Sequence, residues 1–213
     1  GVLWLETVRG CVYRCAYCYY HKQSPGLRTF PIERLLKEVK HAWDCGLQEI
    51  VFLDPCFSKR PHLEDLLDGV GSINHDRRLR LHGECNVEGI DSHVAEKMAR
   101  AGFSQLEVGL QSVKRNTLRN IHRAFHPQRF LQGVRSLRNA GIEVMVDLIA
   151  GLPGDQLSDI CRSLDWVLYH DAYDTLMLYP LGLIPSTELR QQAKKWGLIA
   201  MSHPPYLVTR TPN

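Results

Sequence analysis

The sequence lacks the features that mark membrane, secreted and strongly charged proteins. No apolar run approaches the roughly 18 residues that cross a bilayer, and no hydrophobic signal segment opens the chain. Lysine and arginine total 26 against 23 aspartates and glutamates, and the resulting net charge of +3 does not by itself indicate nucleic acid or an anionic membrane. These absences predict a soluble, globular protein with neither as a partner.

A disulfide-stapled architecture is also disfavoured. The seven cysteines are an odd number, and the composition of the 213 residues is that of an ordinary globular chain. We therefore expect free thiols in a reducing compartment, the cytoplasm. The length fits one domain. Because Gly1 is followed at once by a strand-like run, we expect residues 1–213 to be part of a longer polypeptide.

Three of the cysteines are closely spaced. Cys11, Cys15 and Cys18 follow directly on the apolar run 2–5. Thiolates at this spacing predict ligands for three irons of a 4Fe-4S cluster, with the fourth iron open to another molecule. Zinc held by these cysteines together with His21 is the alternative on spacing alone, although zinc sets usually consist of two pairs separated by a longer loop.

Short apolar runs alternate with longer segments of helical periodicity, which is typical of strand–helix units that build a parallel sheet. The predicted strands are residues 2–6, 49–53, 79–84, 105–110, 143–149 and 175–179. Right-handed crossovers would curl these units into a partial TIM-like (β/α)6 open barrel, an α/β fold with its active face at the carboxyl ends of the strands. A doubly wound sheet is the second choice, because the first strand-to-helix turn has no Gly-x-Gly-x-x-Gly sequence.

In this strand context, the cysteine loop resembles that of the radical S-adenosylmethionine (radical SAM) superfamily. Further segments are similar to the core domain of members with a separate cobalamin-binding domain, namely residues 6–11, 52–58, 107–112, 147–154 and 183–190. The resemblance implies a 4Fe-4S cluster on the three cysteines that reductively cleaves S-adenosylmethionine to a 5'-deoxyadenosyl radical. It also implies hydrogen abstraction from an unactivated carbon, in cobalamin-dependent methylation by a methyltransferase or in a rearrangement.

Two features depart from the family pattern. The Gly-Gly-Glu turn after the second strand is replaced by Leu53-Asp54-Pro55, and no Asp-x-His-x-x-Gly cobalamin loop occurs. Cobalamin would therefore be bound mainly by an upstream domain absent from these residues. The other implied partners are a small-molecule or peptide substrate and an electron donor such as flavodoxin or ferredoxin. A radical methylthiotransferase acting on RNA is a further reading, which requires a second cluster domain.

Eight residues outside the cysteine set are predicted to bind S-adenosylmethionine. The Tyr17 ring would lie beside the adenine unless it only packs the loop. Asp54 would accept hydrogen bonds from the methionyl ammonium, and Arg123 would hold the methionyl carboxylate. Asp147 is the fourth member of the set. The remaining four are on or just after the third and fourth strands and are assigned by side-chain parity or by resemblance; they are Glu84, Glu107, Gln111 and Ser112.

Asp147 stands among valine, isoleucine and leucine, where an unpaired charge is costly. We expect it to meet a ribose hydroxyl or a fixed cation, with a buried structural pair as the alternative. Cys56 and Cys85 are expected either to face the substrate or to fill core space. The basic residues between 114 and 138, apart from Arg123, are interpreted as a solvated face.

Overall fold

The computed structural model describes residues 1–22, 24 and 26–212. Its strands are β1 (Val2–Leu5), β2 (Val8–Arg9), β3 (Arg28–Thr29), β4 (Glu49–Phe52), β5 (Arg80–Cys85), β6 (Phe103–Gln111), β7 (Glu143–Ala150), β8 (Thr175–Pro180), β9 (Ile199–Ala200) and β10 (Val208–Arg210). Its α-helices are α1 (Ile32–Asp44), α2 (Leu63–Ile73), α3 (Ser92–Ala101), α4 (Arg115–Asn120), α5 (Pro127–Asn139), α6 (Leu157–Tyr169) and α7 (Glu188–Gln191). None of the helices formed by these described residues has the length and hydrophobicity of a membrane span.

The predicted strands are all present and pair in parallel. Their order in the sheet is β1-β4-β5-β6-β7-β8, so each strand lies beside the next one along the chain. Crossovers that contain helices join these neighbours, as in part of a TIM-like barrel. Two short antiparallel pairs, β2–β3 and β9–β10, and the short helix α4 were not predicted. The last helix, α7, is a single short turn that ends at Gln191.

The helices cover one face of this sheet. A single buried cluster joins alternate strand residues with the apolar stripes of the helices, among them Ile50, Leu81, Leu106, Val146, Leu35, Leu66, Met98 and Val134. Because side chains alternate along a strand, the intervening residues point to the opposite face, on which the described residues form no helix layer. A doubly wound sheet would have helices on both faces, so the open-barrel prediction is confirmed.

A second, smaller apolar cluster lies at the carboxyl ends of the strands. It consists of Ala16, Leu118, Ile121, Leu152, Leu181, Leu183, Leu189 and Leu198. Ala16 belongs to the cysteine loop, and its backbone is held from both sides. Its N–H donates to the Ile121 carbonyl at 3.0 Å, and its carbonyl accepts from the Leu189 N–H at 2.8 Å. The cysteine loop is therefore fixed to the barrel between Cys15 and Tyr17.

Asn74 gives a stability prediction for this fold. Its fully buried amide donates to the carbonyls of Leu79 (2.8 Å) and Ala101 (2.9 Å) and accepts from the Leu79 N–H at 3.0 Å. Asn74→Ala leaves these buried backbone groups without partners, so urea unfolding should show a loss of about 2–4 kcal/mol. The exposed Asn139 serves as control. An equal, small loss of unfolding free energy for Asn139→Ala and Asn74→Ala would contradict the stabilising role of the buried Asn74 amide.

Candidate functional site

A cavity of about 440 Å³ lies over the helix-free face of the sheet. The cysteine loop forms one wall, and the carboxyl-terminal halves of β5 to β8 form the other. This volume is in the range of cavities that bind small molecules. Its position agrees with the active face predicted for an open barrel of parallel strands.

The cysteine wall holds all three closely spaced thiols. Cys11, Cys15 and Cys18 line the cavity, whereas His21 is not among the lining residues. Burial raises the pKa of the Cys11 thiol to about 11 and also raises that of Cys18. In the described part of the chain, no three histidine, cysteine or acidic side chains are grouped around a single metal ion. A cluster does not require such a group, because each thiolate binds a different iron.

Asp54 does not line this cavity. It is fully buried, and one carboxylate oxygen accepts from the backbone N–H groups of Thr7 (2.7 Å) and Val8 (2.9 Å), while the other accepts from the Thr7 hydroxyl. The structure therefore does not bring Asp54 to the cavity, and its carboxylate binds three donors of Thr7 and Val8 instead. Asp54 instead ties the segment after β4 to the start of β2, just before the cysteine loop.

The hydrogen bonds of Asp54 with Thr7 and Val8, which we call the Asp54 clamp, predict an effect on both stability and iron content. In Asp54→Asn one oxygen becomes an NH2 group, so at least one donor of Thr7 or Val8 loses its acceptor. We expect a loss of about 1–3 kcal/mol in unfolding free energy, together with lower iron content after reconstitution because the cysteine loop is less constrained. The control is Asp165→Asn, at an exposed position on α6. Unchanged stability and normal iron content in Asp54→Asn would show that the clamp has no role.

Three carboxylates meet on the opposite wall. Glu84 and Glu107 are paired across β5 and β6, and Asp147 follows on β7 beside Gly109. Burial and the charge of Glu107 raise the pKa of Glu84 to about 7. Burial, together with a hydrogen bond and repulsion from Glu107, raises the pKa of Asp147 to about 9. The cavity therefore favours a cationic group that offsets these carboxylates.

Two oxygen atoms on this wall have no hydrogen-bond partner within the described residues. They are Asp147 Oδ1 and Gln111 Oε1, on side chains that are 6% and 9% exposed. Gln111 also adopts the left-handed backbone conformation, with φ of 70°. Buried polar atoms normally have partners. A bound ligand that donates hydrogen bonds would satisfy both.

Arg123 reaches from the loop after α4 to the cysteine wall. Its Nη1 lies 3.7 Å from Cys15 Sγ and 3.5 Å from the Tyr17 hydroxyl, and its Nη2 donates to the Gly109 carbonyl. Burial raises the pKa of Tyr17. A Cβ at Gly109 would stand 3.0 Å from Arg123 Nη2 and closer still to Gln111 Nε2, so this position suits glycine. Tyr17 and Arg123 both line the cavity, as expected of ligand-binding residues.

Ser112 is the second predicted residue that the structure does not bring to the cavity. It is 1% exposed, and its hydroxyl accepts from the Lys114 N–H at 3.1 Å. The register of β6 shifts between Gly109 and Gln111, and the chain then turns away from the strand. Ser112 therefore caps a turn outside the cavity lining.

Other residues line the cavity without having been predicted as ligand residues. Tyr179, at the end of β8, contributes an aromatic ring, and its strand-end position was the available signal. Tyr13 and Tyr20 belong to the cysteine loop and its 3₁₀ turn. Cys56 and Cys85 are each 6% exposed and line the cavity, so they are buried and also face it.

Comparison with known proteins agrees with this geometry. The family model of the Radical SAM superfamily matches residues 5–167. The chain belongs to the radical SAM superfamily. Members of this superfamily use a 4Fe-4S cluster and S-adenosylmethionine, which fits a radical SAM domain with three thiols and an acidic wall on one cavity.

Relatives of this radical SAM domain include tRNA-2-methylthio-N(6)-dimethylallyladenosine synthase from a Nitratiruptor species, which is 28% identical over 171 residues, 74% of this chain and 40% of the relative. The solved structure of the radical methyltransferase TsrM from Kitasatospora setae, with cobalamin and a [4Fe-4S] cluster bound, matches with a TM-score of 0.82 at 22% identity. That match covers 100% of this chain and 44% of TsrM.

The cobalamin-dependent radical enzyme OxsB matches with a TM-score of 0.66 and 19% identity, over 91% of this chain and 29% of OxsB. At these identities, the two structures show a shared fold. The chain spans less than half the length of each of these relatives.

Proposed function

We propose that the chain is the catalytic core of a radical SAM enzyme, in which a 4Fe-4S cluster bound to Cys11, Cys15 and Cys18 reductively cleaves S-adenosylmethionine. One observation carries the proposal: three thiols that belong to no disulfide face unpartnered acidic and amide oxygens across a single cavity. When bound, the cluster and S-adenosylmethionine supply a 5'-deoxyadenosyl radical that removes hydrogen from a carbon atom.

The cysteine loop is built to hold such a group in place. The backbone of Ala16 is fixed from both sides, and Asp54 anchors the approach to the loop. Arg123 Nη1 lies 3.7 Å from Cys15 Sγ, so the guanidinium directly contacts one of the three proposed ligands. Thiols bind iron as thiolates, that is, after losing their protons. Cluster assembly must therefore overcome the raised pKa of Cys11 and Cys18.

The opposite wall supplies the contacts for S-adenosylmethionine. Glu84, Glu107 and Asp147 offset the positive sulfonium and ammonium groups, and the free oxygens of Asp147 and Gln111 accept hydrogen bonds. Tyr17 offers an aromatic surface for the adenine. The second Nη1 contact of Arg123 is with the Tyr17 hydroxyl, so the guanidinium is positioned over the same part of the cavity.

The whole protein is proposed to methylate or rearrange an unactivated carbon of a small-molecule or peptide substrate in the cytoplasm. Support for a cobalamin-linked methyltransferase comes from the fold shared with TsrM and OxsB, whose structures contain cobalamin. Residues 1–213 would be its radical SAM core domain, and a domain outside these residues would bind most of the cobalamin. Free cysteines agree with a reducing compartment.

A radical methylthiotransferase acting on tRNA is the second candidate, because the relative from Nitratiruptor carries that name. This activity would need a second cluster. Of the other described cysteines, Cys45 is exposed at the end of α1 and Cys161 is exposed on α6. Cys56 and Cys85 lie in the cavity wall. The two candidates differ in iron content and in product.

The test is anaerobic reconstitution of the full-length protein. The proposal predicts a brown protein with about four irons and four sulfides at these cysteines, and release of 5'-deoxyadenosine from S-adenosylmethionine on reduction. A colourless protein with a single zinc would contradict it. About eight irons, together with methylthiolated tRNA in mass spectra, would support the second candidate instead.

A further inference from the structure

A basic groove lies on the outer side of the loop that carries Arg123. We call it the arginine groove. Its rim consists of Arg115, Arg119, Arg162 and His126, and its centre is formed by Phe125 and Trp166, whose rings meet edge to face at 5.3 Å. The volume is about 600 Å³. The sequence interpretation treated this basic region as a solvated face, but the fold gathers part of it around two aromatic rings.

The positive charge of the arginine groove is only partly neutralised. No carboxylate lines it in the described part of the chain, and neither Arg115 nor Arg119 forms an ion pair with any described residue. Both side chains are exposed on α4. Arg162 contacts Asp159 at 3.1 Å, and His126 contacts Glu88 at 2.7 Å. Two free guanidinium groups therefore face solvent beside an aromatic centre.

Residues 121–126, between α4 and α5, separate this groove from the cavity. Arg123 lines both spaces, and its Nη1 lies 3.7 Å from Cys15 Sγ. A protein seated in the arginine groove would thus be one side chain away from a proposed iron ligand. No residue at the groove other than Arg123 lines the thiol cavity. The groove offers an approach to the cluster site that leaves the cavity mouth free.

We infer that the arginine groove docks an acidic one-electron carrier protein of the flavodoxin or ferredoxin class, an inference that rests on the proposed function. Positive and negative surfaces steer such partners together, and the aromatic centre provides apolar contact once they meet. In the step that follows docking, the reduced carrier loses one electron and the cluster on Cys11, Cys15 and Cys18 gains it. No bond forms or breaks in this transfer.

RNA is the other polyanion that arginines attract. For an RNA substrate, however, the reacting base has to enter the cavity, and the arginine groove is a separate space on the outer side of residues 121–126. An extended nucleic acid is also expected to follow a basic stripe, whereas here the free charges are concentrated at α4. The position and compactness of the groove favour a small acidic protein.

The test uses charge reversal on the full-length, cluster-loaded enzyme. The variant is Arg115→Glu/Arg119→Glu, and the matched control is Arg129→Glu, an exposed α5 residue outside the groove. We expect the dissociation constant for oxidised flavodoxin, measured by calorimetry at low salt, to rise at least about tenfold in the variant and less than about twofold in the control. High salt should reduce the difference between wild type and variant.

Stopped-flow absorbance of the cluster provides the second measurement. The proposal expects slower cluster reduction by flavodoxin hydroquinone in the variant, and an unchanged rate with dithionite. Equal rates with flavodoxin for variant and wild type would overturn the docking site, as would equal losses with both reductants. Reduced tRNA affinity with unchanged flavodoxin affinity would identify an RNA surface and overturn it too. Failure of the wild-type protein to load a cluster would instead contradict the proposed function.

Discussion

Cys15→Ala is expected to abolish both cluster loading and cleavage of S-adenosylmethionine. With one of three thiolates missing, a second iron would lack its protein ligand, and the cluster could not be held in the cavity. Neither Cys11 nor Cys18 is expected to replace it, because the loop between them is fixed to the barrel through both backbone hydrogen bonds of Ala16. Iron and sulfide assays after anaerobic reconstitution, and chromatography for 5'-deoxyadenosine, measure the two losses.

The fold should survive this substitution. Cys15 is buried, but it belongs neither to the main apolar cluster nor to the smaller one at the strand ends. Its removal costs the contact with Arg123, while the hydrogen bonds of Ala16 remain. Cys45→Ala, at the exposed end of α1, is the matched control and should load a normal cluster. A normal cluster in Cys15→Ala would refute the ligand assignment, and loss of the far-ultraviolet helix signal would show a structural role instead.

Asp147→Asn is expected to stabilise the ligand-free protein and to weaken binding of S-adenosylmethionine. The folded state raises the pKa of Asp147 from 3.8 to about 9, so the folded protein binds this proton more tightly than the unfolded chain does. The stability from this proton is complete below about pH 4 and is lost as pH rises towards 9. Asparagine is neutral at every pH and avoids this loss.

The gain should therefore grow with pH. Allowing for access of water to the cavity, we expect on the order of 1–2 kcal/mol at pH 8, which corresponds to an increase of about 2–8 °C in thermal midpoint. The difference should shrink towards pH 5. Asp165→Asn, on the exposed face of α6, should show no such dependence. A constant difference across this pH range would contradict a raised pKa at Asp147.

Ligand affinity should change in the opposite direction. A bound cation favours the ionised carboxylate, and asparagine cannot supply that charge. The loss of a charge-assisted hydrogen bond is worth about 1.5–3 kcal/mol, or about ten- to hundredfold in dissociation constant. Titration calorimetry on reconstituted protein measures it. Unchanged affinity together with a lower thermal midpoint would make Asp147 a structural carboxylate and remove it from the proposed site.

Local patterns in the sequence were enough to predict the sheet and the cysteine wall. Short apolar runs between segments of helical periodicity located each strand of the parallel sheet to within two residues, because a buried strand is marked by its own consecutive residues. The grouping of Cys11, Cys15 and Cys18 follows from their spacing in one loop. The parity of Glu84 and Glu107 placed them on one face, and the cavity does contain both.

Tertiary structure alone decided which polar residues remain available to a ligand. Asp54 follows an apolar strand, and Asp147 lies within one. The carboxylate of Asp54 accepts hydrogen bonds from Thr7 and Val8, some 46 positions away, whereas Asp147 Oδ1 has no partner among the described residues. Ser112 was lost to a turn after a register shift. The arginine groove likewise forms only when α4, α5 and α6 pack together. Period and spacing are properties of neighbouring residues, whereas hydrogen-bond satisfaction depends on partners that the fold brings from distant segments.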